Sequence, residues 1–186
     1  MKTQNLKFGE AVKTLANFAG MQPYTFSKQD EEREKNWKEY KSIFSRYVEK
    51  YHDELFKNPN AESAKNYLKS RNLTSEEVKK FKIGFVTNNQ NTFEEFSKNF
   101  DKKILKETGL FYFDDKKNKF IERFKDRVIF PINNISGDPI GLGGRTIKSS
   151  SYLAKYINSP ETPFFKKGSN LYNLDRARKL SNKEDF

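Results

Sequence analysis

The spacing of the large apolar side chains changes once along the chain, and this change limits the fold more than any other feature of the sequence. Between residues 37 and 108 these side chains mostly recur every three or four positions, as on one face of an α-helix, with one short alternating segment at 81–86. After Leu110 they alternate with polar residues or form short apolar runs bounded by glycine, proline and asparagine, which is typical of strands and turns. Helices followed by strands predict an α+β fold, with a helical N-terminal part and then a small antiparallel or mixed sheet.

The strongest helical signal is a stripe of large, mostly aromatic side chains that continues until Asn58 and Pro59. Its members are Trp37, Tyr40, Phe44, Tyr47, Tyr51 and Leu55. We expect these rings to form the core of the fold rather than to stack on bases. Shorter helices are predicted over 61–70, 75–81, 92–100 and 102–108, and the second of them begins with a capping box at Thr74 and Glu77.

The N-terminal residues carry a separate signal. Apolar residues recur at helical spacing over 8–19 and Gly20 follows them, so a short amphipathic helix is predicted there. Residues 21–36 are polar and charged, and we interpret them as a linker.

The strands are predicted over 81–86, in a hairpin over 111–121, and in a pair formed by 127–132 and 139–145. The hairpin loop contains Asp114 and Asp115. Adjacent strand residues point to opposite faces, so we interpret these two carboxylates as a solvated turn rather than a metal site.

The ionisable residues exclude several kinds of chemistry. The chain has no cysteine and a single histidine, His52, which excludes disulfides, thiolate zinc sites, cysteine nucleophiles and multi-histidine metal sites. No stretch approaches the about 20 apolar residues that cross a bilayer, so we expect a cytoplasmic protein without a membrane partner. The formal net charge of +11 is typical of a protein with an anionic partner, although 28 of the 36 basic residues are lysines and a compositional bias would also produce this excess.

The distribution of charge is more informative than its total. From residue 139 to residue 174 the chain has five basic residues and one acid, Glu161, and five aromatic residues lie among them. Bases that contact phosphates beside rings that stack on nucleobases are typical of single-stranded nucleic-acid binding. A solvated loop with core aromatics is the alternative. The glycine-rich segment 141–145 matches neither the P-loop nor the dinucleotide-binding pattern, but it ends in Arg145, which is suited to phosphate.

Five ordered motifs in this region carry a family resemblance. They are RVIFPI at 127–132, IGLGGR at 140–145, KYINSPET at 155–162, FKKG at 165–168 and LYNL at 171–174. Together they resemble bacterial DnaG-type DNA primases, whose pattern is RVMFPI, IGFGGR, KYLNSPET and FxKGxxLYGL. Upstream, YLKSRNLT at 67–74 and FKIGF at 81–85 resemble that family's YLxxRGLS and FxIGYAP. The departures Asn72, Leu142 and Asn173 replace no charged residue.

The resemblance implies a domain arrangement. Residues 1–20 resemble the helix that ends the family's zinc-binding domain, whose zinc ligands are expected upstream. Residues 37–186 resemble the N-terminal subdomain of the RNA polymerase catalytic core, and the family's Toprim domain is expected after residue 186. The metal-binding carboxylates, with Mg or Mn, are expected in that Toprim domain, so no catalytic residue and no metal site is expected within this chain.

The resemblance also implies site residues and partners. The basic positions of the family's motifs correspond to Arg71, Arg145, Lys155 and Lys167, and the adjoining stacking and amide positions to Tyr156 and Asn158. Arg123 and Arg127 are further candidates for nucleotide phosphates. The expected partners are a single-stranded DNA template, an RNA/DNA hybrid, ribonucleoside triphosphates and, through a C-terminal domain, the replicative helicase.

Two interpretations of the function therefore remain, besides a third in which the chain is a globular domain whose excess of lysines has no function. In the first, the chain belongs to a primase that synthesises RNA primers in the bacterial replisome, although this fragment alone is expected to be inactive. In the second, it is a non-catalytic module that binds single-stranded nucleic acid with the same fold.

Overall fold

The computed structural model describes residues 8–22, 27–87, 91–148 and 152–181. The chain divides into two compact units, Met1–Asn36 and Trp37–Phe186. The helices are α1 (Phe8–Phe18), α2 (Lys28–Lys57), α3 (Glu62–Ser70), α4 (Ser75–Lys80), α5 (Thr92–Ser97), α6 (Lys102–Glu107) and α7 (Leu174–Ser181), with 3-10 turns at Pro59–Ala61 and Lys167–Ser169. The strands are β1 (Gly84–Val86), β2 (Phe111–Asp114), β3 (Lys119–Glu122), β4 (Arg127–Asn133), β5 (Pro139–Thr146) and β6 (Tyr156–Asn158).

The charged stretch that we interpret as a linker merges into α2. Its residues 28–36 form the first turns of that helix. The helix begins there because Ser27 and Asp30 cap it reciprocally: the Ser27 N–H donates to Asp30 Oδ2 at 3.0 Å, and the Asp30 N–H donates to Ser27 Oγ at 3.2 Å. Exposed charged side chains are compatible with such a helix.

The predicted stripe on α2 forms the core of the second unit. Tyr40, Phe44, Tyr47 and Tyr51 are fully buried. The Tyr40 hydroxyl donates to the backbone carbonyl of Ile140 at 3.0 Å, which joins α2 to β5. The aromatic side chains of this stripe therefore form the core, as expected from the sequence.

The main sheet has four antiparallel strands in the order β1-β4-β5-β6. A separate antiparallel hairpin is formed by β2 and β3, at the predicted position. The Asp114 carboxylate accepts the N–H of Lys116 at 3.0 Å and caps the turn of this hairpin. The α+β prediction is confirmed, with a sheet that is antiparallel throughout the described residues.

Each face of the main sheet packs against a different group of helices. Ile129 lies in a core cluster with α2, α5 and α6, and its neighbour Val128 lies in a second cluster with α3 and α4. This separation follows from the alternation of side chains along β4. The face that carries Val128 also carries the residues of the site described next, toward β5 and β6.

Candidate nucleic-acid interface

Two cross-strand rows bring predicted site residues onto one face of the sheet. In the first row Val128, Arg145 and Tyr156 lie opposite one another on β4, β5 and β6. In the second row Phe130 and Asn158 flank Gly143. Directly opposed residues of antiparallel strands share a face, so Arg145, Tyr156 and Asn158 lie on the same surface.

The second row opens into a groove, which we call the sheet groove. Its volume is about 300 Å³, and its lining residues are Phe130, Ile132, Gly143, Asn158, Phe165, Lys167, Asn170 and Tyr172. Gly141 and Gly143 have no side chain that would fill this groove. A Cβ atom on Gly143 would lie 3.4 Å from Asn158 Oδ1, and one on Gly141 would lie 3.1 Å from the ring of Phe165. The glycine-rich segment of β5 therefore provides space rather than a phosphate-binding loop.

Arg145, the β5 member of the first row, is partly buried and lies near the end of its strand. Its Nη1 donates to the backbone carbonyl of Thr146 at 2.9 Å. Its Cζ lies 4.0 Å from the centroid of the Tyr67 ring and 5.9 Å from that of Tyr156. Contacts with two rings restrict the orientation of the guanidinium and, unlike an ion pair with a carboxylate, do not neutralise its charge.

The remaining predicted cations, Lys167, Arg71 and Lys155, are exposed, and only Lys167 among them lines the sheet groove. Lys167 lines the sheet groove, and its backbone N–H donates to Glu161 Oε1 at 3.0 Å. Arg71 is exposed at the end of α3, one helical turn after Tyr67. Lys155 is exposed next to β6, and its backbone carbonyl accepts the N–H of Thr146 at 3.1 Å. The structure therefore brings Arg145, Tyr156, Asn158 and Lys167 together.

Arg123 and Arg127 have a different environment. Arg123 Nε donates to the carbonyl of Gly109 at 2.7 Å. Arg127 is only 7% exposed, and its Nη1 donates to the carbonyl of Lys155 at 3.4 Å. Burial lowers the pKa of the Arg127 guanidinium. These contacts favour a role in holding the backbone rather than the phosphate contacts suggested by the sequence.

Sequence reasoning missed two kinds of site residue. Tyr67 packs partly buried against the cluster of α3 and α4, and its ring also contacts the guanidinium of Arg145. Its spacing of four residues from Arg71 is the signal that places both on one side of α3. Asn170 and Tyr172 line the sheet groove, and Tyr172 belongs to the run of interleaved bases and aromatics.

The histidine, aspartate and glutamate side chains of the described residues form no group of three that would hold a metal ion. The chain's one histidine, His52, donates from Nδ1 to the carbonyl of Ile83 at 2.7 Å.

No helix in the described ranges combines the length and the apolar character that a membrane span requires.

Known proteins are similar to this chain over the region that contains the motifs at 67–85 and 127–174. The family model of the DNA primase catalytic core, N-terminal domain, matches residues 50–178. The chain is 38% identical over 149 residues to a DNA primase of Enterococcus faecalis, covering 77% of this chain and 24% of that protein. It therefore spans about a quarter of the length of the curated relatives it matches.

Solved structures show the same similarity. The structure of a DnaG primase catalytic domain bound to ssDNA superimposes with a TM-score of 0.70 at 33% identity, over 81% of this chain and 46% of that one. The Aquifex aeolicus primase, with its zinc-binding and RNA polymerase domains, gives a TM-score of 0.66 at 27% identity, over 96% of this chain and 42% of that one. The chain thus belongs to the DnaG-type DNA primase family and contains the N-terminal domain of the primase catalytic core.

Proposed function

We propose that this chain is the part of a bacterial DNA primase that binds single-stranded DNA template, RNA/DNA hybrid and ribonucleoside triphosphates, and that the sheet groove with Arg145 is the contact surface. One observation carries the proposal. Arg145, Tyr156, Asn158 and Lys167 lie on one face of β5 and β6 or beside it. They supply cations for phosphates, a ring for stacking and an amide for base or sugar edges.

The chemistry of single strands fits this surface. Tyr156 is 60% exposed, so its ring is accessible to an unstacked base. Arg145 lies on the same face of the sheet as Asn158, and Lys167 lines the groove beside Asn158, so both supply positive charge for contacts with phosphates. The DnaG catalytic domain, which shares this fold, has been solved bound to ssDNA. This similarity supports a primase rather than a separate non-catalytic binding module.

The metal chemistry belongs to other parts of the primase in this proposal. Primer synthesis joins ribonucleotides by attack of a 3′ hydroxyl on an α-phosphate, and divalent metals usually assist this attack. The Mg or Mn ligands are assigned to a Toprim domain and Zn to a zinc-binding domain that α1 would adjoin. The contribution of this chain is to position template and triphosphate by charge and hydrogen bonding. A place in the cytoplasmic replisome, beside the replicative helicase, follows from that role.

The test is a titration of the 186-residue chain with a fluorescent single-stranded oligonucleotide at two salt concentrations. We expect weak binding that falls steeply with salt, and no primer synthesis by this chain alone. The double variant Arg145→Ala/Lys167→Ala is expected to lose most of the affinity and to reduce the salt dependence by about two charges.

Lys103→Ala provides the matched control, because Lys103 is exposed on α6, whose buried residues pack on the opposite face of the sheet. It is expected to bind like the parent chain. Equal losses in the double variant and in Lys103→Ala would contradict a localised contact surface, and so would an affinity that salt does not change.

A further inference from the structure

The guanidinium of Arg145 lies close to an aromatic ring. Its Cζ is 4.0 Å from the centroid of the Tyr67 ring, compared with 4.9 Å from Arg176 Cζ to the centroid of the Phe81 ring. At 4.0 Å cation–π attraction is strong, and a planar guanidinium also stacks well on aromatic faces.

The ring of Tyr67 belongs to the packed helical part of the fold. It packs partly buried against the cluster of α3 and α4, beside the buried Leu68. The Tyr67 carbonyl accepts Ser70 Oγ at 2.7 Å and the Arg71 N–H at 3.2 Å, which fixes the end of α3. A ring held in this way restricts the rotamers of a side chain that lies on it.

Arg145 is held by a backbone carbonyl and an aromatic ring, and neither of these neutralises its positive charge. Its one recorded hydrogen bond, from Nη1, goes to a backbone carbonyl, and its Nε is buried without a partner. Among the described residues, the recorded ion pairs do not include Arg145. A carboxylate would hold the guanidinium equally well but would neutralise it. A ring holds it and leaves the full positive charge for an anion.

We propose that Tyr67 is a positioning residue of the primase: its ring fixes the orientation of Arg145, and Arg145 then contacts a phosphate of the bound strand. The proposal rests on the proposed function of the sheet groove and extends it to a residue outside that groove. Tyr67 acts through Arg145, so its contribution to binding disappears when Arg145 is absent.

A double-mutant cycle tests this dependence. The variants are Tyr67→Leu, Arg145→Ala and the two combined, and the measurement is the affinity for a fluorescent single-stranded oligonucleotide at low salt. Tyr67→Leu is expected to weaken binding about fivefold when Arg145 is present and to have no effect when Arg145 is alanine. Tyr67→Phe keeps the ring and is expected to bind like the parent chain.

Phe81→Leu is the matched control, because it removes the ring beneath Arg176, a second arginine stacked in the same way. It is expected to leave the affinity unchanged, and thermal unfolding of each variant reports whether it is folded. An equal loss from Tyr67→Leu in both backgrounds would overturn the positioning role. So would a loss from Arg145→Ala with none from Tyr67→Leu. If Arg145→Ala itself has no effect, the sheet groove is not the binding surface and both proposals are wrong.

Discussion

Replacing Glu122 with glutamine is expected to stabilise the chain above neutral pH and to change its stability little in acid. Glu122 lies on β3 and is 7% exposed. The Tyr51 hydroxyl donates to its Oε1, and the same hydroxyl shares a hydrogen bond of 2.7 Å with Thr92 Oγ1. Burial raises the pKa of Glu122 from its ordinary 4.5 to about 7, although the hydrogen bonds from Tyr51 and Thr92 partly oppose the shift.

The sign and size of the effect follow from this shift. In the unfolded chain the carboxyl loses its proton near pH 4.5, whereas in the folded chain it keeps the proton until about pH 7. The folded state therefore binds more protons between these values, and the free energy of unfolding falls as the pH rises through them. At about 1.4 kcal/mol for each pKa unit, the loss is about 3 kcal/mol by pH 8. Glutamine carries no charge at any pH and does not suffer this loss.

The measurement is urea unfolding of the parent chain and Glu122→Gln at pH 4, 6 and 8. The stability difference in favour of Glu122→Gln is expected to grow by about 3 kcal/mol from pH 4 to pH 8. Glu76→Gln, an exposed position on α4, controls for loss of a carboxylate and is expected to show no such growth. A constant difference across this range would refute the argument that burial dominates the pKa of Glu122.

Two further predictions concern the stability of the fold. Gly84→Ala is expected to cost about 3 kcal/mol in thermal or urea unfolding, because its Cβ would lie 2.8 Å from the backbone carbon of Tyr51, and neither backbone can yield. Gly168→Ala, whose Cβ would have no atom within 4 Å, is the control, and an equal loss in the two variants would contradict the packing argument. Thr74→Ala is expected to cost about 1 kcal/mol, because Thr74 Oγ1 caps the Glu77 N–H at 3.2 Å. Thr74→Ser keeps this oxygen and should retain the stability; a loss as large as that of alanine would argue against the cap.

Local features of the sequence were sufficient for most of the fold. The aromatic stripe predicted α2 because its period matches a buried helical face, and the capping box predicted the start of α4. The strands β4 and β5 were predicted because alternation and a turn with Gly137 are encoded within 20 residues. These signals all act between neighbours in the chain.

The features that the sequence does not predict depend on distant contacts. The strand β6 has three residues and pairs with β5 across a loop, so no periodicity within it indicates a strand. Arg127 and Arg145 are both basic positions of their motifs. Arg127 is buried at the start of β4, whereas Arg145, near the end of β5, lies partly buried on the groove face. The stacking of Tyr67 on Arg145 joins α3 to β5 and is likewise set by the tertiary packing.

Photo-crosslinking tests most directly whether single-stranded DNA lies along the sheet groove. An oligonucleotide carrying 4-thiothymidine is irradiated with the chain, and crosslinked peptides are identified by mass spectrometry. We expect crosslinks on Tyr156 and around Lys167. The hairpin of β2 and β3 offers an alternative stacking surface, since Tyr112 and Phe113 are 44% and 45% exposed. Crosslinks concentrated on Tyr112 and Phe113, with none near Tyr156, would contradict the proposed interface.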